Sequence, residues 1–302
     1  MSRASSRPGY GLFQLLVVLA LIVLLIGMLL PAVQKVRQAA ARMTSQNNLK
    51  QIGIACHNYM DVNGKLPSGV DDKFFSGFAL LLPYIEQDNL YKKLDRTKDA
   101  DDKDNADVRA TKIKTFISPG ELFQPDQKAG PTSYFLVAGS KSPLADNDGI
   151  FYKESAVTIA GITDGTSNTM FCLESMDGDG NTKATTVARQ HVRLKAADLK
   201  NIQDATGVKD FANGKNIAGN RGGAWIDGRY LQATMSITRE FNDKKPDVDC
   251  GGAGGHAGVR SVTRGASVGM VDGSVRFVSG TADLTVWKAI ATHAGGEVVN
   301  LD

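Results

Sequence analysis

Acid is missing where the chain begins. The first 60 residues contain no aspartate or glutamate, yet they hold six basic side chains: Arg3, Arg7, Lys35, Arg37, Arg42 and Lys50. The other 242 residues carry 29 basic against 32 acidic groups, so the whole-chain net charge of +3 describes neither part. A basic start suits an anionic membrane surface, and the acidic remainder lacks the charge signature of a nucleic-acid-binding domain. Cysteine is scarce: Cys56, Cys172 and Cys250 are an odd number with no CxxC spacing. That excludes a disulfide framework and a thiolate zinc site, and leaves free buried thiols or a single Cys172–Cys250 bridge in an oxidising compartment. Nine prolines, 42% hydrophobic and 22% charged residues exclude a collagen-like or wholly disordered chain.

What the start does have is a long apolar run. Leu12 to Val33 is 22 residues, interrupted in polarity only by Gln14. That is enough to cross a hydrocarbon core of about 30 Å as a helix. The run is longer than the apolar region of a cleaved secretory signal, and Gln34, Lys35, Arg37 and Gln38 continue it in helical phase. Val33, Val36, Ala40 and Met43, then Leu49, Ile52, Cys56 and Tyr59, recur at spacings of 3 and 4, an amphipathic stripe. The pattern predicts one helix over 10–62, kinked at Pro31, which removes a backbone donor. Counting basic flanks alone places the C-terminal side of the span in the cytoplasm.

Gly9-Tyr10-Gly11-Leu12-Phe13-Gln14, ahead of the apolar run, resembles a prepilin-type signal. The resemblance implies a leader over 1–9, cleavage after Gly9 by a prepilin peptidase, and a methylated mature terminus at Tyr10. It also implies that Pro31 is the helix-kinking proline of pilins, and that residues 63–302 lie outside the cytoplasm, the reverse of the charge count. Gln14 departs from the pattern, which has a glutamate there. Further matches run through the chain: Leu29–Gln34, Asn48–Gly53, His57–Tyr59, Leu82–Gln87, Asp164–Thr169, Asp272–Phe277 and Gly295–Val298. With these the chain is similar to a pilin-like family expanded in planctomycete bacteria, whose soluble domain is uncharacterised and has also been catalogued as solute-binding without a substrate. Ser118 stands where that family usually has cysteine before the proline. The partners implied are the peptidase, inner-membrane lipid, and other pilin-like subunits or further copies of the chain.

Residues 63–302 hold 28 of the 32 glycines. Short runs at 132–137, 150–152, 157–159, 169–173 and 185–188 read as strands. Residues 267–271 and 274–278 flank Asp272-Gly273, a pair suited to a type I′ hairpin turn. Helical patterns cover 78–94, 196–203 and 283–293, the last with Asp283 as N-cap and Leu284, Trp287 and Ile290 on one face. Asp95–Asp107 reads as a solvated acidic loop. Together these predict an α+β fold: a long N-terminal helix followed by a glycine-rich, mainly antiparallel domain.

Candidate chemistry is sparse. Gly265–Gly269 matches GxSxG around Ser267, with Asp272, Asp283 and His293 downstream, but strand pattern follows the serine where a hydrolase needs a helix. Asp177, Asp179 and Asn181 have the 1-3-5 spacing of a calcium loop, without its glycine or its final glutamate, so a polar turn competes with a cation site. His57, His191, His256 and His293 show no ligand spacing, and Gly251–Gly255 lacks the ending of a phosphate loop. Trp225 and Trp287 read as core. The reading is a non-catalytic, membrane-anchored pilin-like protein; a tethered ligand- or glycan-binding module is the alternative.

Overall fold

A computed structural model describes residues 10–120, 129–202, 204–297 and 299. It contains two compact units, one ending at Met43 and one starting at Thr44. Helix α1 (Tyr10–Asn63) begins in the first and ends in the second. The other helices are α2 (Gly77–Leu81), α3 (Asp88–Tyr91), α4 (Ala106–Arg109), α5 (Asp204–Ala212) and α6 (Leu284–Ala291).

In the first unit every side chain described from Phe13 to Ala40 is exposed. The helix is continuous through Pro31. It is the one helix among the described residues long and apolar enough to cross a membrane. A helix suits that role because its peptide groups bond within the segment.

In the second unit the same helix supplies core. Ser45, Asn48, Leu49, Ile52, Ala55 and Cys56 are buried on one face, and Tyr59 is half-buried. Burying Leu49 and Ile52 contributes roughly 1.5–3 kcal/mol each. Polar groups on this face are satisfied: the Asn48 amide donates to the Ile117 carbonyl at 3.1 Å and to Tyr134 Oη at 3.2 Å, and Tyr134 Oη donates to Ser45 Oγ at 3.0 Å.

Among the described residues nine strands form two sheets: β1 (Tyr134–Gly139), β2 (Met170–Glu174), β3 (His191–Leu194), β4 (Ile217–Ala218), β5 (Thr234–Ser236), β6 (Asp247–Cys250), β7 (Gly255–His256), β8 (Gly265–Met270) and β9 (Val275–Ser279). The first sheet has order β5-β1-β2-β8-β9 and the second β4-β3-β6-β7. All pairs are antiparallel except β1 with β5 and β3 with β6. The fold is α+β, as the sequence predicts. Strand β1 is buried on both faces, which explains its unbroken apolar run. Tyr134 and Leu136 join the core that α1 caps, whereas Phe135 and Val137 join a second core with Trp287 and Ile290 of α6.

Several local expectations are corrected. Residues 150–152, 157–159 and 185–188 are not strands. Phe151 bonds to Val137 and Leu66 to Val157 through single backbone contacts, with no ladder. The 78–94 helix is broken into α2, a 3₁₀ turn over Leu82–Ile85 and α3. Pro83 lacks the N–H that would bond to Ala79, and Glu86 turns left-handed at φ 62°. Residues 196–201 form a 3₁₀ helix, and α5 beyond them was not anticipated. The hairpin at Asp272-Gly273 forms, but with a three-residue loop. Gly273 N bonds to Met270 O, and Gly273 is left-handed at φ 83° while Asp272 is not, the pattern of a type I turn with a bulge. The acidic stretch 95–107 folds around fully buried Asn105, whose side chain exchanges bonds with the Asp95 backbone and donates to the Asp99 carbonyl. Cys172 and Cys250 sit in different sheets; all three cysteines are free and buried, so the bridge left open above does not form.

Candidate functional site

Segments that carried the resemblance meet around the β8–β9 turn. His57 Nε2 on α1 lies 2.7 Å from the Val271 carbonyl and donates to it. Asp272 N bonds to Thr166 O and Val271 N to Thr169 O, tying the turn to loop 164–169. The Asp164 carboxylate, nearly buried, accepts from Gly295 N and Gly296 N at 2.8 Å each. His293 N and Nδ1 both reach the Asp148 carbonyl. These polar residues bind backbone donors and acceptors, so the cluster is a clasp that joins α1, a loop, the hairpin and the C-terminal segment.

The second polar centre is buried. Asp247 on β6 accepts from Arg221 Nη1, from Arg260 Nη2 at 2.6 Å and from Gly258 N at 3.3 Å. All three side chains are about 1% exposed. Burial alone would push the Asp247 carboxyl up; Arg260 and Arg221 outweigh it and hold the carboxyl below its usual value. Arg221 also donates to the Met176 carbonyl at 3.0 Å and to Ser175 Oγ at 2.9 Å, at the end of β2, and so connects the two sheets. On the same face of β3 and β6, burial pushes Asp249 up to about 6 and His191 down to about 3.

A cleft of about 380 Å³ opens beside β4. Its walls depend on glycine. Gly178 N bonds to Arg221 O and Gly180 N to Gly219 O. A Cβ on Gly178 would lie 1.8 Å from Gly219 O, and one on Gly219 would lie 2.5 Å from Asn181 N, so side chains on either would drive the two segments apart. Arg193 lies in the lining, half-exposed, with Nε 3.4 Å from the buried Asp249 carboxylate and Nη2 donating to Asn220 Oδ1 at 3.2 Å.

The sequence-predicted residues are placed as follows. Gly9 lies outside the described residues, Tyr10 begins α1, Gln14 is exposed one turn on, and Pro31 is within α1. Asp177, Asp179 and Asn181 share one loop, but their groups are engaged internally. Arg189 Nη1 meets Asp177 Oδ1 at 2.9 Å. Asp179 accepts from Asn181 N, Gln190 Nε2 and Thr185 Oγ1. Among the described residues no group of three His, Cys, Asp or Glu is arranged to hold a metal ion. Ser267 is buried mid-strand in β8 opposite Phe277, without a nucleophile elbow. Gly251, Gly252 and Gly254, all at positive φ, turn the chain from β6 into β7. Trp225 and Trp287 are core, as expected. The Asp247 cluster and the cleft have no signature in local sequence.

Fold and sites together define an α+β protein with, among the described residues, one N-terminal helix long and apolar enough to span a membrane. The chain belongs to a family described as a protein of unknown function (DUF1559), which matches residues 34–285. No curated protein and no solved structure matches it.

Proposed function

We propose that this is a non-catalytic, pilin-like assembly protein of the cell envelope. In this reading a prepilin peptidase cuts after Gly9, α1 anchors the chain in the cytoplasmic membrane, and the folded domain works outside the cytoplasm beside other pilin-like subunits or copies of itself. The observation that supports it most is α1. One continuous helix presents exposed apolar side chains from Phe13 to Leu30 and then buries Leu49 and Ile52 in a folded domain. Mass spectrometry of the membrane-extracted protein tests the reading. A terminus at Tyr10 carrying one methyl group is expected, with Gly9→Val left uncut; an intact Met1 or Ser2 terminus in the wild type refutes it.

Gln14 bears on how such a protein assembles. A carboxylate at this position would cancel a neighbour's terminal ammonium in lipid, where an unpaired charge costs about 2.5–3.5 kcal/mol. Gln14 supplies no charge, which favours a filament tip or a stand-alone role. A second reading, a tethered ligand-binding module, is favoured by the cleft beside β4.

A further inference from the structure

We infer that the cleft beside β4 is a binding site for a carboxylate-bearing sugar, with Arg193 as its anion receptor. The inference deepens the second reading, and neither N-terminal processing nor filament assembly bears on it.

The lining has one charged side chain, Arg193, and no acid. Asp179 beside Gly180 in sequence, Asp210 against Asn216 and Asp249 against Arg193 are all engaged. Asp179 takes donors of its own loop and Gln190, Asp210 accepts from the Asn216 amide at 3.0 Å, and Asp249 lies behind the guanidinium on β6. Arg193 is held at two points, by Asp249 through Nε and by Asn220 through Nη2, so its plane is set without a ligand. Nη1 is engaged by neither contact. These contacts use Nε and one N–H of Nη2, and the end-on pair, Nη1 with the second N–H of Nη2, is the side that would receive a carboxylate through two parallel hydrogen bonds. The contact with Asp249 is a single one at 3.4 Å, a loose pairing that leaves positive charge for an incoming anion.

The rest of the lining suits a polyhydroxylated body. Asn216, Asn220 and Thr182 offer neutral donors and acceptors, and Gly180 and Gly219 keep the wall free of side chains. Gly180 is left-handed, and a Cβ there would meet nothing within 4 Å, which places it at the open side. Ile217 gives a small apolar edge for the face of a ring. The volume lies at the low end for small-molecule sites, roughly 300–1,000 Å³, and accommodates a monosaccharide or disaccharide.

The test is calorimetric titration of the full-length protein in nanodiscs with glucuronate, glucose and acetate. Glucuronate is expected to bind, with glucose weaker by about tenfold or more for loss of the charge-assisted pair, and acetate weaker than glucuronate. Arg193→Gln is expected to abolish the preference for glucuronate over glucose. Two further variants guard against a folding defect in Arg193→Gln. Thr182→Trp fills the cleft from its exposed rim and should remove binding while the melting temperature holds. Asp249→Asn frees the Arg193 charge and should tighten glucuronate several-fold. Equal affinity for glucose and glucuronate overturns the role of Arg193. Acetate binding as tightly as glucuronate overturns the sugar class. Unchanged or weaker glucuronate binding by Asp249→Asn overturns the electrostatic argument, and no binding of any probe overturns the site. An uncut Gly9 would leave all four outcomes as they are.

Discussion

Replacing Asp247 by asparagine removes one charge from a site where two guanidinium groups converge. Arg221 and Arg260 are both about 1% exposed, and both donate to this carboxylate. Asparagine keeps the shape but only one of the two acceptors, so the charge is lost together with the acceptor for one guanidinium. Two buried cations are then left facing each other, and breaking a buried pair this way costs about 3–5 kcal/mol. Whole-domain stability is typically about 5–15 kcal/mol, so the loss is a large fraction of it. For a domain of this size each kcal/mol moves the melting temperature by about 2–4 °C, which gives a fall of roughly 6–20 °C. The sign with pH follows from the lowered carboxyl. Asp247 contributes stability in full above its unfolded value of 3.8, and that contribution is lost as pH falls through the lower folded value. Differential scanning fluorimetry of wild type and Asp247→Asn from pH 8 to pH 3 should therefore show a constant gap that closes only below about pH 4. A gap under 2 °C at pH 7, or one that widens on acidification, would refute the reasoning.

Asp249 should behave in the opposite sense. Its folded value, about 6, lies above its unfolded one, so the wild type loses stability as pH rises from about 4 through 6, and Asp249→Asn should be the more stable protein at pH 8 and lose that advantage at pH 4; a pH-independent difference would count against it. Gly178→Ala places a Cβ against the Gly219 carbonyl and should lower stability by roughly 1–3 kcal/mol in urea titration, with Gly161→Ala, whose Cβ would meet only Thr158 Oγ1 at 3.7 Å, costing less; equal losses would contradict the close approach described. A cysteine at exposed Asp104 should react with a membrane-impermeant maleimide in cells with a permeabilised outer envelope; labelling only after lysis would place the domain in the cytoplasm. Cysteines at Val33 and Met43 should crosslink copies more extensively in Gln14→Glu than with Gln14; ladders unchanged by the substitution would remove Gln14 from the assembly argument.

Periodicity made much of α1 legible, because Leu49, Ile52 and Cys56 repeat at 3 and 4 and are buried together. The same periodicity at Val33, Val36 and Met43 marks residues that are exposed, since spacing alone does not say whether lipid, a partner or the domain's own core covers a stripe. The β8–β9 hairpin was legible, but its turn type was not, because Asp-Gly fits both a two-residue loop and a type I turn with a bulge. The parallel pairings of β1 with β5 and β3 with β6 escaped local pattern, as each joins strands far apart in sequence. Arg221, Asp247 and Arg260 stand in glycine-rich or charged stretches that read as surface, and only the packing of two sheets reveals them as one buried cluster. The calcium spacing at Asp177–Asn181 was visible, whereas the groups that engage it, Arg189 and Gln190, lie 12 and 11 residues downstream of the aspartates they meet.

The bond from His57 to Val271 spans 214 positions, and this sets the order in which the molecule comes into being. The wall of the core that α1 provides is made first, and the hairpin that closes on it is made nearly last. At about 5–20 residues per second, roughly 10–40 s separate their emergence from the ribosome. Through that interval the core that holds Leu49, Ile52, Ala55 and Cys56 lacks Val271 and Val275, the hairpin's share of its cover. The nascent chain is thus a ready client for holding factors, and a stop codon anywhere before the hairpin yields a product with an open apolar flank.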